Sequence, residues 1–303
     1  IDRLGDRPKK ALQVASVIGR DFGFKLLKNV TSLGDEELRD LLLALRNTEL
    51  IYEKGISLDA NYGFKHALTH EVAYNSLLIQ RRKELHEKTG AAIEGIYASR
   101  IDEFYEVLAY HFSRTNNEEK AFYYLTMAGK KAKSVFAMEE AVGFFNHALE
   151  CLDELPKTET YIAKRIDILL EMENIYDATL NREEQGKVLE TLIGLSEELN
   201  DKRKVSDVHI RQAEFLSVIG SYAEAEATIK SALLLNKELG DKAGEGKALR
   251  GMGFIYWSSG KYNDALKCHL EALDTHRELG SHEAEGFELI SLGEVYRKLG
   301  RYE

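Results

Sequence analysis

Gly220-Ser221-Tyr222, Gly260-Lys261-Tyr262 and Gly300-Arg301-Tyr302 stand forty residues apart, and Leu199-Asn200, Leu239-Gly240 and Leu279-Gly280 mark a second turn at the same interval. Residues 201–240 align on 241–280 without a gap, and a third, incomplete unit runs from 281 to 303. Within the register Leu249 matches Leu289, Gly253 matches Gly293 and Ala213, Tyr256 matches Tyr296 and Leu216, and Ala265 matches Ala225. Repeats of this length are stacked helical hairpins, because one unit cannot bury its own apolar face. A small residue at 253 marks where the paired helix crosses closely, an aromatic at 256 fills the space one turn on, and alanines on the second helix admit the next unit. Such arrays display surfaces, so binding is weighed before chemistry.

The pattern resembles the tetratricopeptide repeat in a long form, with a Leu-Gly-Asp-type turn in place of the usual proline. The unit 161–200 keeps Leu169, Tyr176 and Leu199 but carries Glu173 at the small-residue position. Ala141, Phe145 and Ala148 after Gly129, and Ala109, Phe112 and Ala121 before it, repeat second-helix spacing further upstream. Residues 81–303 are therefore expected to form ten to eleven helices in one α-α superhelix. The phase set by Gly253 and Gly293 turns the residues one and four positions later toward the concave groove. These are Asn174 and Asp177, Glu214 and Ser217, Phe254 and Trp257, and Glu294 and Arg297. An aromatic anchor inside a polar rim is the make-up of a binding hot spot. Trp257 either anchors a partner there or packs under the neighbouring helix, and its exposure decides between them.

The first eighty residues differ. Residues 8–17 and 22–30 read as short amphipathic helices broken at Gly19-Arg20-Asp21, and 35–46 places Leu38, Leu41, Leu42 and Leu45 at helical spacing after Gly34-Asp35. Leu50-Ile51-Tyr52 and Tyr62-Gly63-Phe64 read as two short strands joined by a polar hairpin with Gly55, Asp59 and Asn61. A long helix is predicted from Ala67. Three helices and a hairpin make a winged-helix-like domain over residues 1–80, so the chain as a whole is mainly α.

With Ile18-Gly19-Arg20-Asp21-Phe22 upstream, the stretch Phe64-Lys65-His66-Ala67-Leu68-Thr69-His70-Glu71 and its continuation to Leu78 resembles the end of the ATPase module of the STAND class. These are the signal-transduction ATPases with numerous domains, and the likeness is to bacterial multidomain regulators that carry tetratricopeptide repeats and a cyclase or kinase domain. It covers residues 1–155. In the NB-ARC relatives a Met-His-Asp motif opens the last winged-helix helix, and its histidine touches the β-phosphate of bound ADP. Lys65-His66-Ala67 falls on that motif with Met and Asp replaced. The resemblance implies His66 as a nucleotide-sensing residue, an ATPase core upstream in the same chain, ATP or ADP bound by the longer parent, and a cytoplasmic place. The residues alone leave open that His66 caps the strand or packs.

Chemistry is sparse. No Gly-x-x-x-x-Gly-Lys-[Ser/Thr] loop occurs, so no cofactor is expected in this segment and no enzyme activity is assigned to it. His66 and His70 lack the His-Glu-x-x-His order and a third ligand, so no metal is expected. Cys151 near His147 reads as a packed thiol, as does Cys268. A formal net charge of -10 opposes broad contact with phosphate backbones. Arg81-Arg82-Lys83 with Lys88 carries the alternative reading, a winged-helix DNA-binding segment of a transcriptional regulator, although nucleic acid is not the expected partner. The expected partner is a protein or small effector in the repeat groove. No apolar run of membrane-spanning length occurs. The chain opens Ile1-Asp2-Arg3-Leu4 and ends after a turn, as expected of a piece of a longer protein.

Overall fold

A computed structural model of the chain describes residues 4–54 and 61–301. Backbone contacts gather into two compact units, Ile1–Pro156 and Lys157–Glu303, so the sequence boundary at 80/81 falls inside the first.

The first unit opens with α1 (Asp6–Ile18), strand β1 (Asp21–Gly23), α2 (Phe24–Thr31) and α3 (Asp35–Asn47). Strands β2 (Ile51–Lys54) and β3 (Asn61–Phe64) follow, and the three strands form an antiparallel sheet in the order β1-β3-β2. Acidic residues Asp35, Glu36 and Glu37 fill the first turn of α3, where they complement the helix dipole. The two predicted strands form, and β1 is a third that the sequence did not announce, being only Asp-Phe-Gly. Phe22 on β1 faces Tyr62 and Phe64 on β3, with ring centroids 5.9 Å apart in each case, and this aromatic cluster seats the sheet on the helices. Gly63 keeps the opposite face clear: a Cβ there would lie 2.7 Å from the Asp21 carboxylate, which pairs with Lys54 across it at 2.7 Å. Gly55 and Asp59 of the expected hairpin lie outside the described residues.

The long helix expected from Ala67 is two helices, α4 (Ala67–Asn75) and α5 (Ile79–Ile96). The break is capped from both sides. Ser76 Oγ donates to the Ala73 carbonyl and accepts from Gln13 on α1, while Arg82 donates to the freed carbonyls of Asn75 and Leu77. Helix α5 then packs on α1 and α2. A 3-10 segment (Ala98–Phe104) leads to α6 (Tyr105–Phe112), α7 (Glu118–Ser134) and α8 (Met138–Asp153), the last two closely paired.

The second unit pairs α9 (Glu159–Ala178) with α10 (Arg182–Leu199), α11 (Lys202–Val218) with α12 (Tyr222–Leu239), and α13 (Lys242–Ser258) with α14 (Tyr262–Glu278), and ends in α15 (His282–Lys298). Helix α11 also contacts α10 of the preceding pair, and α13 contacts both α11 and α12. Alanines make this possible: Ala225, Ala232, Ala248 and Ala272 are fully buried between helices and interleave with Ile229, Met252 and Ile255. Turns within pairs share one geometry. At Gly220, Gly260 and Gly300 the backbone is left-handed, its N–H reaches back three residues, and the next N–H reaches back five, as in Gly260 to Trp257 and Lys261 to Tyr256. This is the Schellman turn, which uses carbonyls the helix end leaves free.

The small-residue position behaves as the sequence implied, with a side chain rather than a backbone as the close neighbour. A Cβ on Gly253 would meet the His269 ring at 2.7 Å, and one on Gly129 would meet the Phe145 ring at 2.5 Å. Glu173, at that position in the degenerate unit, is buried and compensated. Gln185, standing where the other units have Ala225 and Ala265, donates to its carboxylate at 2.7 Å, and Arg211 donates at 3.1 Å.

Candidate functional site

The first helices of successive pairs, α11, α13 and α15, put one side chain per turn into a depression of about 540 Å³. Its walls are apolar. Phe254 and Trp257 on α13 stack with ring centroids 6.3 Å apart, and Phe287 and Ile290 on α15 face them across the opening. Its polar lining is Glu214 of α11, Arg250 of α13, His269 of α14, and Ser291 and Glu294 of α15. A second, smaller depression of about 230 Å³ shares Glu214 and Phe254 and continues onto Asp177, Arg211 and the buried Glu173. The two form one groove, apolar at one end and charged at the other.

The predicted groove residues fall as follows. Glu214, Phe254, Trp257 and Glu294 line the apolar depression, and Asp177 lines the charged one. Asn174 lines neither. Its amide donates to the Leu170 carbonyl, and its oxygen accepts from Arg211 at 2.5 Å. Ser217 is 2% exposed and turned into the helix packing, and Val218 after it lines the charged depression instead. Arg297 is exposed and donates to Glu294 at 2.6 Å. Trp257 is half-buried rather than covered, and its indole N–H finds no acceptor among the described residues. Phe254 beside it is 37% exposed.

Arg250, Phe287 and Ile290 lie before the small residue of their repeat, outside the positions that its phase marks. Stepping back by helical intervals from Phe254 reaches 250, and from Glu294 reaches 290 and 287, which is the same face one and two turns earlier. His269 was hidden for another reason. Its counterparts Phe145, Leu189 and Ile229 are buried and apolar or nearly so, whereas His269 donates through Nδ1 to Glu288 at 2.8 Å, both groups being buried. Glu288 in turn stands where the preceding units carry Ala248, Val208 and Ile168.

Charge in this groove is shaped by burial. Desolvation raises the Glu214 carboxyl above the ordinary range, with Glu173 and Asp177 adding to the rise and Arg211 and Arg250 opposing it. Tyr256 behind the wall donates to Glu226 at 3.1 Å, and burial pushes its hydroxyl up to about 12. Lys230, Lys261 and Tyr256 together hold Glu226 down to about 2.

In the first unit His66 is the N-cap residue of α4. Its ring is exposed and makes no capping bond, so the packing alternative does not apply, and its carbonyl accepts the first helical N–H groups. His70 has a structural partner: Nε2 bonds to the Ser16 carbonyl at 2.9 Å while the ring meets the edge of Phe64. Among the described residues no three His, Cys, Asp or Glu side chains are arranged to hold a metal. The basic cluster is engaged internally. Arg81 pairs with Glu84, Arg82 caps α4 and lies over the Tyr74 ring, and Lys83 donates to Asn116. Burial, with Glu118 nearby, pushes the Cys151 thiol up to about 12, and burial raises Cys268 to about 11, so neither is a ready nucleophile. No helix among the described residues is long and apolar enough to cross a membrane.

Comparison with known proteins agrees with this geometry. The tetratricopeptide repeat family matches residues 205–278 and again 245–303, so a repeat array of that kind is present in the second unit. An uncharacterized protein of Rhizobium meliloti (strain 1021) is 28% identical over 162 residues, which are 52% of this chain and 16% of that protein. The chain thus spans at most a minor part of that relative's length. Among solved structures, BtubC from P. vanneervenii is similar over 68% of this chain and 83% of its own, at 20% identity and a TM-score of 0.53. The apo form of RapI is similar over 71% and 73%, at 15% identity and a TM-score of 0.56. A Rap protein complexed with competence and sporulation factor is similar over 97% and 73%, at 13% identity and a TM-score of 0.55. At these identities the likeness is one of fold.

Proposed function

We propose that this chain is a regulatory binding segment: the repeat array captures an effector in the groove of α11, α13 and α15, and residues 1–80 act as the winged-helix end of a nucleotide-switch ATPase. The observation that carries the first half is the open pair Phe254 and Trp257. Two stacked aromatics facing exposed Phe287 and Ile290 across a depression are costly to leave in water, and a partner covering them gains that area back. Complex formation by a Rap protein of similar fold supports the same reading. The second half is supported by the Ile18-to-Phe22 and Phe64-to-Leu78 motifs and by an exposed His66 at a strand-to-helix corner. In that role His66 would sense the nucleotide of an upstream ATPase core, and the segment would work in the cytoplasm of a bacterium without touching nucleic acid.

The test of the groove is affinity capture from the source organism, comparing the chain with a Phe254→Ala/Trp257→Ala variant of unchanged circular dichroism. Truncating hot-spot aromatics weakens binding by about 2 kcal/mol or more each, so a true effector is retained by the first and lost from the second. Equal retention by both places the binding surface elsewhere.

A further inference from the structure

We propose that the apolar depression is built for a carboxylate: an aromatic or alkyl body held between Phe254, Trp257, Phe287 and Ile290, with its acid group against the Arg250 guanidinium. This rests on the groove reading above and adds the sign of charge that the groove selects. Two charged side chains in the depression, Arg250 and Glu214, make no hydrogen bond and no ion pair among the described residues. Every other charge around them is committed. Glu294 holds Arg297, Glu173 is held by Gln185 and Arg211, Asp177 pairs with Arg182 at 2.5 Å, and His269 is bonded to Glu288. A half-buried charge without a partner is expensive, and the groove carries two.

The two are not equivalent. A guanidinium cannot shed its charge in a protein, whereas a desolvated carboxyl can take up a proton. The groups facing Glu214 are Glu173 and Asp177 from α9, Arg211 from its own helix and Arg250 from α13, and burial outweighs the two cations. The Glu214 charge is thus disfavoured by burial and by Glu173 and Asp177, whereas that of Arg250 is permanent. A protonated Glu214 is also a donor. A guanidinium with no bound carboxylate beside apolar walls matches an acceptor anion, while an ammonium group would meet Glu294 already holding Arg297 and would have to stand beside Arg250. The volume of about 540 Å³ is that of a small-molecule site.

Trp257 is the chain's single tryptophan and lines the site, so its emission reports occupancy directly. The probes are 4-phenylbutyrate, 4-phenylbutyramide and 4-phenylbutylamine, one skeleton bearing an anion, a neutral group and a cation. The acid is expected to shift Trp257 emission saturably and to bind about tenfold tighter than the amide, with the amine weakest. Its affinity should rise as the pH is lowered above the acid's own titration range, because binding next to Glu214 favours proton uptake. Glu214→Gln should remove that pH dependence and keep the preference for the acid. Arg250→Gln should bring acid and amide to within about twofold. Equal binding of acid and amide to the unaltered chain, tightest binding of the amine, or no saturable change with any probe would each overturn the proposal. An effector still lost from the Phe254→Ala/Trp257→Ala variant would in those cases leave the groove reading standing, so the two failures are distinguishable.

Discussion

Leu180 and Phe136 hold φ angles of 58° and 62°, the left-handed conformation that Gly220, Gly260 and Gly300 adopt at the same turn. Their hydrogen bonds are also the same: Leu180 to Asp177 and Asn181 to Tyr176, Phe136 to Lys133 and Ala137 to Ala132. The turn, rather than the side chain, is what repeats, and it recurs upstream of the region where residue matching is clear. An L-residue in this conformation is disfavoured by about 1 kcal/mol or more. Neither side chain offsets this by packing, since Leu180 is 70% and Phe136 83% exposed. Leu180→Gly and Phe136→Gly are therefore each expected to raise stability by roughly 0.5–1 kcal/mol, measured by urea unfolding. Leu234→Gly is the control, because Leu234 is also exposed but lies inside α12, where glycine costs about 1 kcal/mol. Destabilisation at 180 and 136 would mean that these side chains, not the backbone, carry the turn. Neither position is legible in the sequence, because glycine is the residue that marks this conformation and Leu180 and Phe136 adopt it without being glycine.

Helices α4, α5 and α6 meet at a buried relay whose members no motif marks. The Tyr74 hydroxyl lies 3.0 Å from His86 Nε2, and His86 Nδ1 lies 2.9 Å from His111 Nδ1. One proton on the nitrogen–nitrogen link satisfies it from either ring, and full protonation of both rings sets N–H against N–H. Burial, with Arg114 and Arg82 nearby, holds His86 down to about 4, and burial next to His86 holds His111 to about 3. The folded values lie below the unfolded value of about 6.5, so between them the unfolded chain binds more protons. Stability is thus complete above about pH 6.5 and declines as pH falls toward about 4, by about 1.4 kcal/mol per pH unit for each histidine. Between about pH 6.5 and pH 5, above the range of the carboxylates, the urea midpoint should fall, and His86→Phe/His111→Phe should flatten that slope whatever its offset. An unchanged slope would remove the relay from the acid response. At this scale helices and the β2–β3 pair were legible, because apolar period and turn residues repeat locally. The break at Ser76 was not, since it depends on Arg82 and Gln13 arriving from elsewhere, and β1 was not, since three residues carry no period. The wall of the groove was half legible: the repeat phase reached Phe254 and Trp257, the same faces a turn earlier hold Arg250, Phe287 and Ile290, and only His269 on α14 emerges where neighbouring helices converge.

For the whole molecule, the change of sequence character near residue 80 and the division of contacts after Pro156 locate different things. Composition shifts where the winged-helix-like pattern stops and helical hairpins begin, while contacts follow burial. Helix α5 belongs to the hairpins by pattern, yet it packs on α1 and α2, and it carries the buried Leu85, His86, Thr89, Gly90 and Ile93. Gly90 is itself fitted to α6, since a Cβ there would lie 2.6 Å from the Phe112 ring. A cut at 80/81 removes α1 and α2 and opens one side of α5 to water, with a loss of about 25 cal/mol for each Å² of apolar surface uncovered. A cut after Pro156 falls in the connection between α8 and α9, which carries no helix to be opened. Stacked hairpins depend on near neighbours, so each unit should survive separation there. Fragments 1–156 and 157–303 are accordingly expected to be monomeric and helical by light scattering and circular dichroism, and fragment 81–303 to self-associate and bind a hydrophobic dye. A monomeric 81–303 that binds no dye would show α5 to be covered without α1 and α2, and would make residue 80 the true boundary.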